Sequence, residues 1–135
     1  MANKVTQAAG KRKEAIARAT ARAGKGAVRI NAVSLDIYSN EFARMRIQEP
    51  LAIAGQMAAE VDIDVSVIGG GWSSQAEAAR LAIAKALVEY TGSEQLKNTY
   101  LDYDRSLLVA DTRRKEPRKF GRHSRARARR QTSYR

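Results

Sequence analysis

Beyond Asp111 the chain carries almost nothing from which a core could be made. From Thr112 to Arg135 only Phe120, Ala126, Ala128 and Tyr134, with a few small or polar residues, interrupt the basic side chains. Burial of so little apolar surface cannot offset the roughly 1–2 kcal/mol per residue that ordering a backbone costs, so this stretch is expected to be disordered when free. Any fold must be built from residues 1–111, a length that suits one core and is too short for two domains of ordinary size. The sequence thus divides into a body, 1–111, and an arm, 112–135. Fully extended, the arm would reach roughly 80 Å at about 3.3 Å per residue.

Charge divides at the same place. Residues 1–111 carry 14 basic against 13 acidic side chains, a net of +1, whereas residues 112–135 carry 11 against 1, a net of +10. A nearly neutral body with a cationic extension is the asymmetry expected of an arm that binds RNA or DNA. Nine of the eleven arm cations are arginine. A planar guanidinium can grip a phosphate with two donors and stack on an unpaired base, which an ammonium cannot, so the bias points to RNA. The arm residues expected to meet it are Arg113, Arg114, Lys115, Arg118, Lys119, Arg122, Arg125, Arg127, Arg129 and Arg130.

Other classes are set aside by what is missing. There is no cysteine, hence no disulfide and no thiolate metal ligand, which suits a reducing compartment. No apolar run approaches the roughly 20 residues of a membrane span, and the opening MANKVTQAAGKRK has no secretory stretch, so a cytoplasmic protein without membrane attachment is expected. His123 stands alone inside the arm. Asp62 and Asp64 share one side of a strand and read as a wet face, and Asp102 and Asp104 beside Arg105 read as local ion pairing. No enzyme and no cofactor is expected.

Within the body, AIARATARA (Ala15 to Ala23), Gly24-Lys25-Gly26 and AVRIN (Ala27 to Asn31) read as a hairpin. Pro50 suits a first helical turn, and Leu51, Ile53, Ala54 and Met57 then fall near one face, which predicts a helix over about 50–60. Val61 to Ile68 alternates apolar and polar with β-branched residues, the pattern of a half-buried strand. Gly69-Gly70-Gly71 ends it. Ser74 and Glu77 have capping-box spacing, and Ala76, Ala79, Ile83, Leu87 and Tyr90 form the stripe of a helix that stops at Gly92. A shorter helix over 93–100 follows, with Leu107, Leu108 and Val109 as the last apolar anchor.

Two further segments bear on binding. Lys11, Arg12 and Lys13, with Arg18, Arg22, Lys25 and Arg29 after them, recur through the strand region, and Arg18 and Arg22 would share one strand face. Gly69 to Ser74 lies between a strand and a helix, where backbone amides can cradle a phosphate, but it has neither the lysine of a P-loop nor dinucleotide-fold spacing. A tight turn is the plainer reading. Trp72 could stack on a base or be partly buried. A DNA-compacting protein could use the same arm, so charge leaves RNA and DNA both open.

Three stretches together carry a resemblance: GKRKEAIARATARAGKGAVRIN (Gly10 to Asn31), the triple glycine followed by SQAEAARLAIAKALVEY (Ser74 to Tyr90), and DRSLLVADTRRKEPRKFGRHSRARARRQTSYR (Asp104 to Arg135). In order and spelling they resemble the small-subunit ribosomal protein nine family, on its archaeal and eukaryotic side. Trp72 and Ser74 stand where relatives often carry a smaller residue and a glycine. The resemblance implies an α/β (α+β) fold, a two-layer sheet with helices on one face like domain two of ribosomal protein five, with a left-handed βαβ crossover. It also implies small-subunit ribosomal RNA in the head as a partner, with neighbouring head proteins, and an arm reaching the peptidyl-tRNA site. Carried over, Lys11, Arg12 and Lys13 would lie against RNA. Ser133, Tyr134 and Arg135 would approach the anticodon stem-loop of the tRNA.

Overall fold

A computed structural model describes residues 4–38 and 40–127. Five strands form one sheet: β1 (Val5–Arg12), β2 (Ala15–Ala23), β3 (Val28–Ile30), β4 (Val33–Ser34) and β5 (Val61–Ile68). Their spatial order is β1-β2-β5-β3-β4, antiparallel throughout except for the parallel pair β3 and β5. The helices α1 (Glu41–Ala54), α2 (Gln56–Ala59), α3 (Trp72–Thr91) and α4 (Glu94–Tyr103) pack as a layer on one face. The result is the expected mixed α+β architecture.

Small side chains set the distance between the layers. On β2 the odd-numbered Ala15, Ala17, Ala19 and Ala21 are buried toward the helices, and α3 answers with Ala76, Ala78, Ala79, Ala82 and Ala86. On β1 the approach is tighter still. A Cβ added to Gly10 would run into the carbonyl oxygen of Ala78 and come within 2.7 Å of the amide nitrogen of Ala82. Larger groups fill the remainder of the core: Ile30, Ile47, Ile63, Ile83, Leu87, Leu107 and Tyr100 are all but inaccessible. The Tyr100 hydroxyl donates to the carbonyl of Pro50 at 2.7 Å, which satisfies its only polar group, and burial pushes its pKa up.

Several expectations hold. Strand β5 buries Val61, Ile63, Val65 and Val67 and turns its even-numbered residues away. Helix α3 buries Ala76, Ala79, Ile83 and Leu87 and ends at Gly92, although Tyr90 is only half-buried. Ser93 caps α4, accepting from the amide of Leu96, and that helix runs three residues beyond the predicted end.

Four expectations need correction. The hairpin of Ala15–Ala23 with Ala27–Asn31 does not form, because β5 inserts between the two: Ala23 pairs with Val61 and Val28 with Ile63. The true hairpin partner of β2 is β1, a strand the sequence reading missed. Pro50 lies inside α1, not at a helix start. That helix begins at Glu41, capped by Asn40, whose side chain accepts from the amide of Ala43 at 2.8 Å, and the proline ring is accommodated by burial in the core. Ser74 does not open α3; the helix starts after Gly71, and Glu77 is drawn into ion pairs instead of reaching back to cap. Of the last apolar anchors, Leu107 is buried and Leu108 half-buried, while Val109 is 40% exposed.

Candidate nucleic-acid interface

Strand alternation that sends the alanines of β2 into the core sends Arg18 and Arg22 to the opposite, helix-free face. Register sets Arg18 between Ala9 of β1 and Ser66 of β5, small neighbours that leave its guanidinium exposed. Gln7, Thr20, Arg29, Asn31 and Asp64 line a shallow depression around it, with alanines between them. The two expected ladder partners differ in availability. Arg22 holds Asp64 at 2.5 Å, with Arg29 at 3.9 Å from the same carboxylate, whereas Arg18 has no ion pair among the described residues. Asn31 was not anticipated: its amide donates to the carbonyl of Val67 and accepts from the Val67 amide, which continues the β5 ladder by side chain where β3 has ended.

At the far end of β1 the three basic residues separate by role. Lys11 is exposed, and Lys13 is exposed in the β1–β2 turn with a φ of 52°. Arg12 points the other way. Its side chain is 15% exposed, with Nε donating to Glu77 at 2.6 Å and Nη1 2.7 Å from Asp111. Arg12, expected among the RNA-facing residues, thus has its ion-pair partners within the protein, and it fastens the start of the arm to the end of the edge strand β1. Glu77 also holds Arg46 at 2.7 Å.

The loop after β5 supports this turn from below. Gly69 and Gly70 adopt φ of 76° and 66°, and a Cβ at Gly69 would come within 2.5 Å of the carbonyl oxygen of Glu14. The glycines therefore serve close packing of loop on turn, as the plainer sequence reading has it, and left-handed backbone of this kind favours glycine.

The arm leaves the body along this turn. Arg12, Lys13, Glu14, Arg113, Arg114 and Lys115 line one cleft, so turn and arm root share a single basic surface. Asp111 is its fixed point. It accepts from the backbone and guanidinium of Arg113, and these bonds, with Arg12 adding its charge, hold the carboxyl well below the usual carboxylate range and raise the pKa of Arg113. Arg114 donates to the carbonyls of Asp111 and Arg113, while Lys115 and Arg118 are exposed.

Further along, Glu116 is tied to Lys119 at 3.1 Å and to Arg127 at 2.5 Å, which depresses its pKa. Arg122 donates to the carbonyls of Ala126 and Arg127, and the carbonyl of Arg125 accepts from the Lys119 amide. Several arm cations thus have internal partners of the weak, exposed kind that a polyanion can replace. Arg129, Arg130, Ser133, Tyr134 and Arg135 lie outside the described residues.

The carboxylates of the body are occupied otherwise than expected. Asp62 is no mere wet group: it accepts from the amides of Ala27 and Lys25 at 2.9 and 2.8 Å, and those bonds lower its pKa. Asp104 serves Arg80 in place of Arg105. It accepts from the hydroxyl and amide of Ser106, foremost among the causes that lower its pKa, and holds Arg80 at 3.1 Å. Arg80 is nearly buried, and Glu49 at 2.6 Å completes its neutralisation. Among the described residues no group of three His, Cys, Asp or Glu side chains could hold a metal, and no helix is long and apolar enough to cross a membrane.

Cations collected on a sheet face, a turn and an arm, next to carboxylates committed to arginines and amides, define a polyanion-binding protein. The profile of the Ribosomal protein S9/S16 family matches residues 10–135, and the chain belongs to that family. It is 49% identical over 133 residues to small ribosomal subunit protein uS9 of Methanococcus vannielii, which covers 98% of this chain and 99% of the relative. The corresponding protein of Methanothrix thermoacetophila is 51% identical over 132 residues, again across 98% of this chain and 99% of the relative. That of Methanococcus maripaludis is 47% identical over 133 residues, with the same coverage.

Proposed function

We propose that this chain, a structural constituent of the small ribosomal subunit and not an enzyme, binds ribosomal RNA in the subunit head and sends its arm to the peptidyl-tRNA site. It works in the cytoplasm as part of that ribonucleoprotein. The body, 1–111, docks by shape, with Arg18, Lys11 and Lys13 against phosphates. The arm, 112–135, then condenses among RNA helices, exchanging its weak internal pairs for phosphates and releasing counterions. Ser133, Tyr134 and Arg135 meet the anticodon stem-loop of the tRNA, and neighbouring head proteins complete the site.

The observation that carries the reading is continuity: open cations run from Lys13 to Arg114 and Lys115 on one surface that launches the arm. Two measurements test it. The chain should sediment with small subunits after a salt wash, and recovery with chromosomal DNA would support the DNA-compacting alternative instead. Deletion of Tyr134 and Arg135 should leave subunit assembly intact while weakening tRNA retention at the peptidyl site. Equal tRNA affinity in filter binding would refute the arm's role there.

A further inference from the structure

Among the described residues the arm has one large apolar side chain, Phe120, and it stands wholly in water at 106% exposure. It takes no part in the core. The backbone around it closes into a small loop. The amide of Lys119 donates to the carbonyl of Arg125 at 3.2 Å, and the amide of Arg125 donates to the carbonyl of Arg122 at 3.0 Å. Glu116 ties Lys119 and Arg127 together across the base of that loop. Beside the ring, Gly121 has a φ of 75°, and the space that a Cβ would take there is open. Phe120 is thus held out from a closed loop next to bare backbone, with room for a flat group to approach.

Charge around the loop selects what the ring meets. Residues 116–127 hold five lysines and arginines against one acid, Glu116, which Lys119 and Arg127 already occupy. Arg118 and Arg125 are exposed and have no ion pair among the described residues. An apolar pocket of a protein closing over the ring would press these unneutralised guanidiniums against a surface that cannot solvate them. RNA suits both parts at once, since its phosphates take the guanidiniums while a base stacks on the ring. That base is an unpaired one, because a base within a duplex is already stacked between its neighbours. Trp72, the aromatic that the sequence marked for stacking, offers no such selection. It is 52% exposed in a groove whose arginine, Arg46, and acid, Glu49, are both already paired. We propose that Phe120 is a base-stacking residue of the arm, taking one unpaired base of RNA while Arg118 and Arg125 hold the phosphates beside it. The proposal rests on the ribosomal reading for the identity of the RNA, and it adds to the arm's electrostatic hold a contact that salt does not screen.

The full-length chain with Trp72→Phe and Phe120→Trp carries a single tryptophan, at the position in question. Titrated with protein-free small-subunit ribosomal RNA, its emission should be quenched as the complex forms. Complex formation seen by filter binding with the emission unchanged would overturn the proposal. In the otherwise native chain, Phe120→Ala should weaken binding about 5- to 150-fold, the range for removing a stacked aromatic. Phe120→Leu, apolar but not aromatic, should share most of that loss, and Phe120→Tyr should bind as the wild type does. All should keep the same slope of log K against log salt, because no cation has been removed. A loss below twofold in the alanine variant, or wild-type affinity in the leucine variant, would overturn the stacking role while leaving the ribosomal reading intact. Failure of the wild type itself to bind this RNA would overturn both. In assembled subunits a photocrosslinking phenylalanine analogue at position 120 should join to RNA, and a crosslink to protein would again overturn the proposal.

Discussion

Gly10 has no room for a side chain, since α3 passes directly over it. A methyl group there meets helix backbone, which cannot swing aside as a side chain could. Gly10→Ala should therefore destabilise the body by about 1–3 kcal/mol, the range for forcing an extra carbon into a well-packed interior. Chemical denaturation with an unchanged slope checks it. Arg12, two residues on, illustrates what residue type alone conceals. Between Lys11 and Lys13 it reads as one of three equivalent cations, yet alternation turns it toward Glu77 and Asp111. The signal that could have separated it was parity: on an eight-residue strand, Lys11 and Arg12 cannot face the same way. Arg12→Ala, by the same logic, should loosen the arm root while leaving RNA-facing charge on the sheet in place.

At the scale of elements, β5 organises the sheet, lying between β2 and β3 and fixing the loop that joins them. Asp62 on β5 clamps that loop through the amides of Lys25 and Ala27. Its carboxyl is shifted below the ordinary value of about 3.9, so the clamp is fully present above that pH and is lost as pH falls through the lower native value. Protection of the Lys25 and Ala27 amides, taken relative to their intrinsic exchange rates, should fall on acidification below about pH 4, and Asp62→Ala should abolish that dependence; protection indifferent to acid would contradict the clamp. The sequence made β5 and α3 legible because period-two and helical spacing are local properties. Pairing is not local. Alternation says which face a strand buries but not which strand lies beside it, so Ala15–Ala23 and Ala27–Asn31 looked like a hairpin when β5 separates them. Strand β1 escaped notice because its helix-facing side is built from Ala8 and Gly10, residues with little strand signature.

For the whole molecule, the division between neutral body and cationic arm was readable from composition, because net charge needs no fold to be counted. The anchoring of the arm at Asp111 was not, since it depends on contacts with residues 12 and 113 brought together by the sheet. If about eight arm cations displace counterions, log K for RNA against log salt should have a slope of roughly −6, at about −0.7 per contact. A chain ending at Asp111 should keep the unfolding midpoint of the body and lose most of that slope. An unaltered slope would remove the arm from the electrostatic account.

The ion pair between Arg12 and Asp111 also has a geometric consequence. A flexible leash hung from a frayed end would sweep a large sphere, most of it far from any target. Pinned to β1, the root of the arm starts from a fixed point, so Arg113, Arg114 and Lys115 stand on one side of the globule as soon as the body has landed. Cutting that pin would slow the search without removing a single positive charge from the arm.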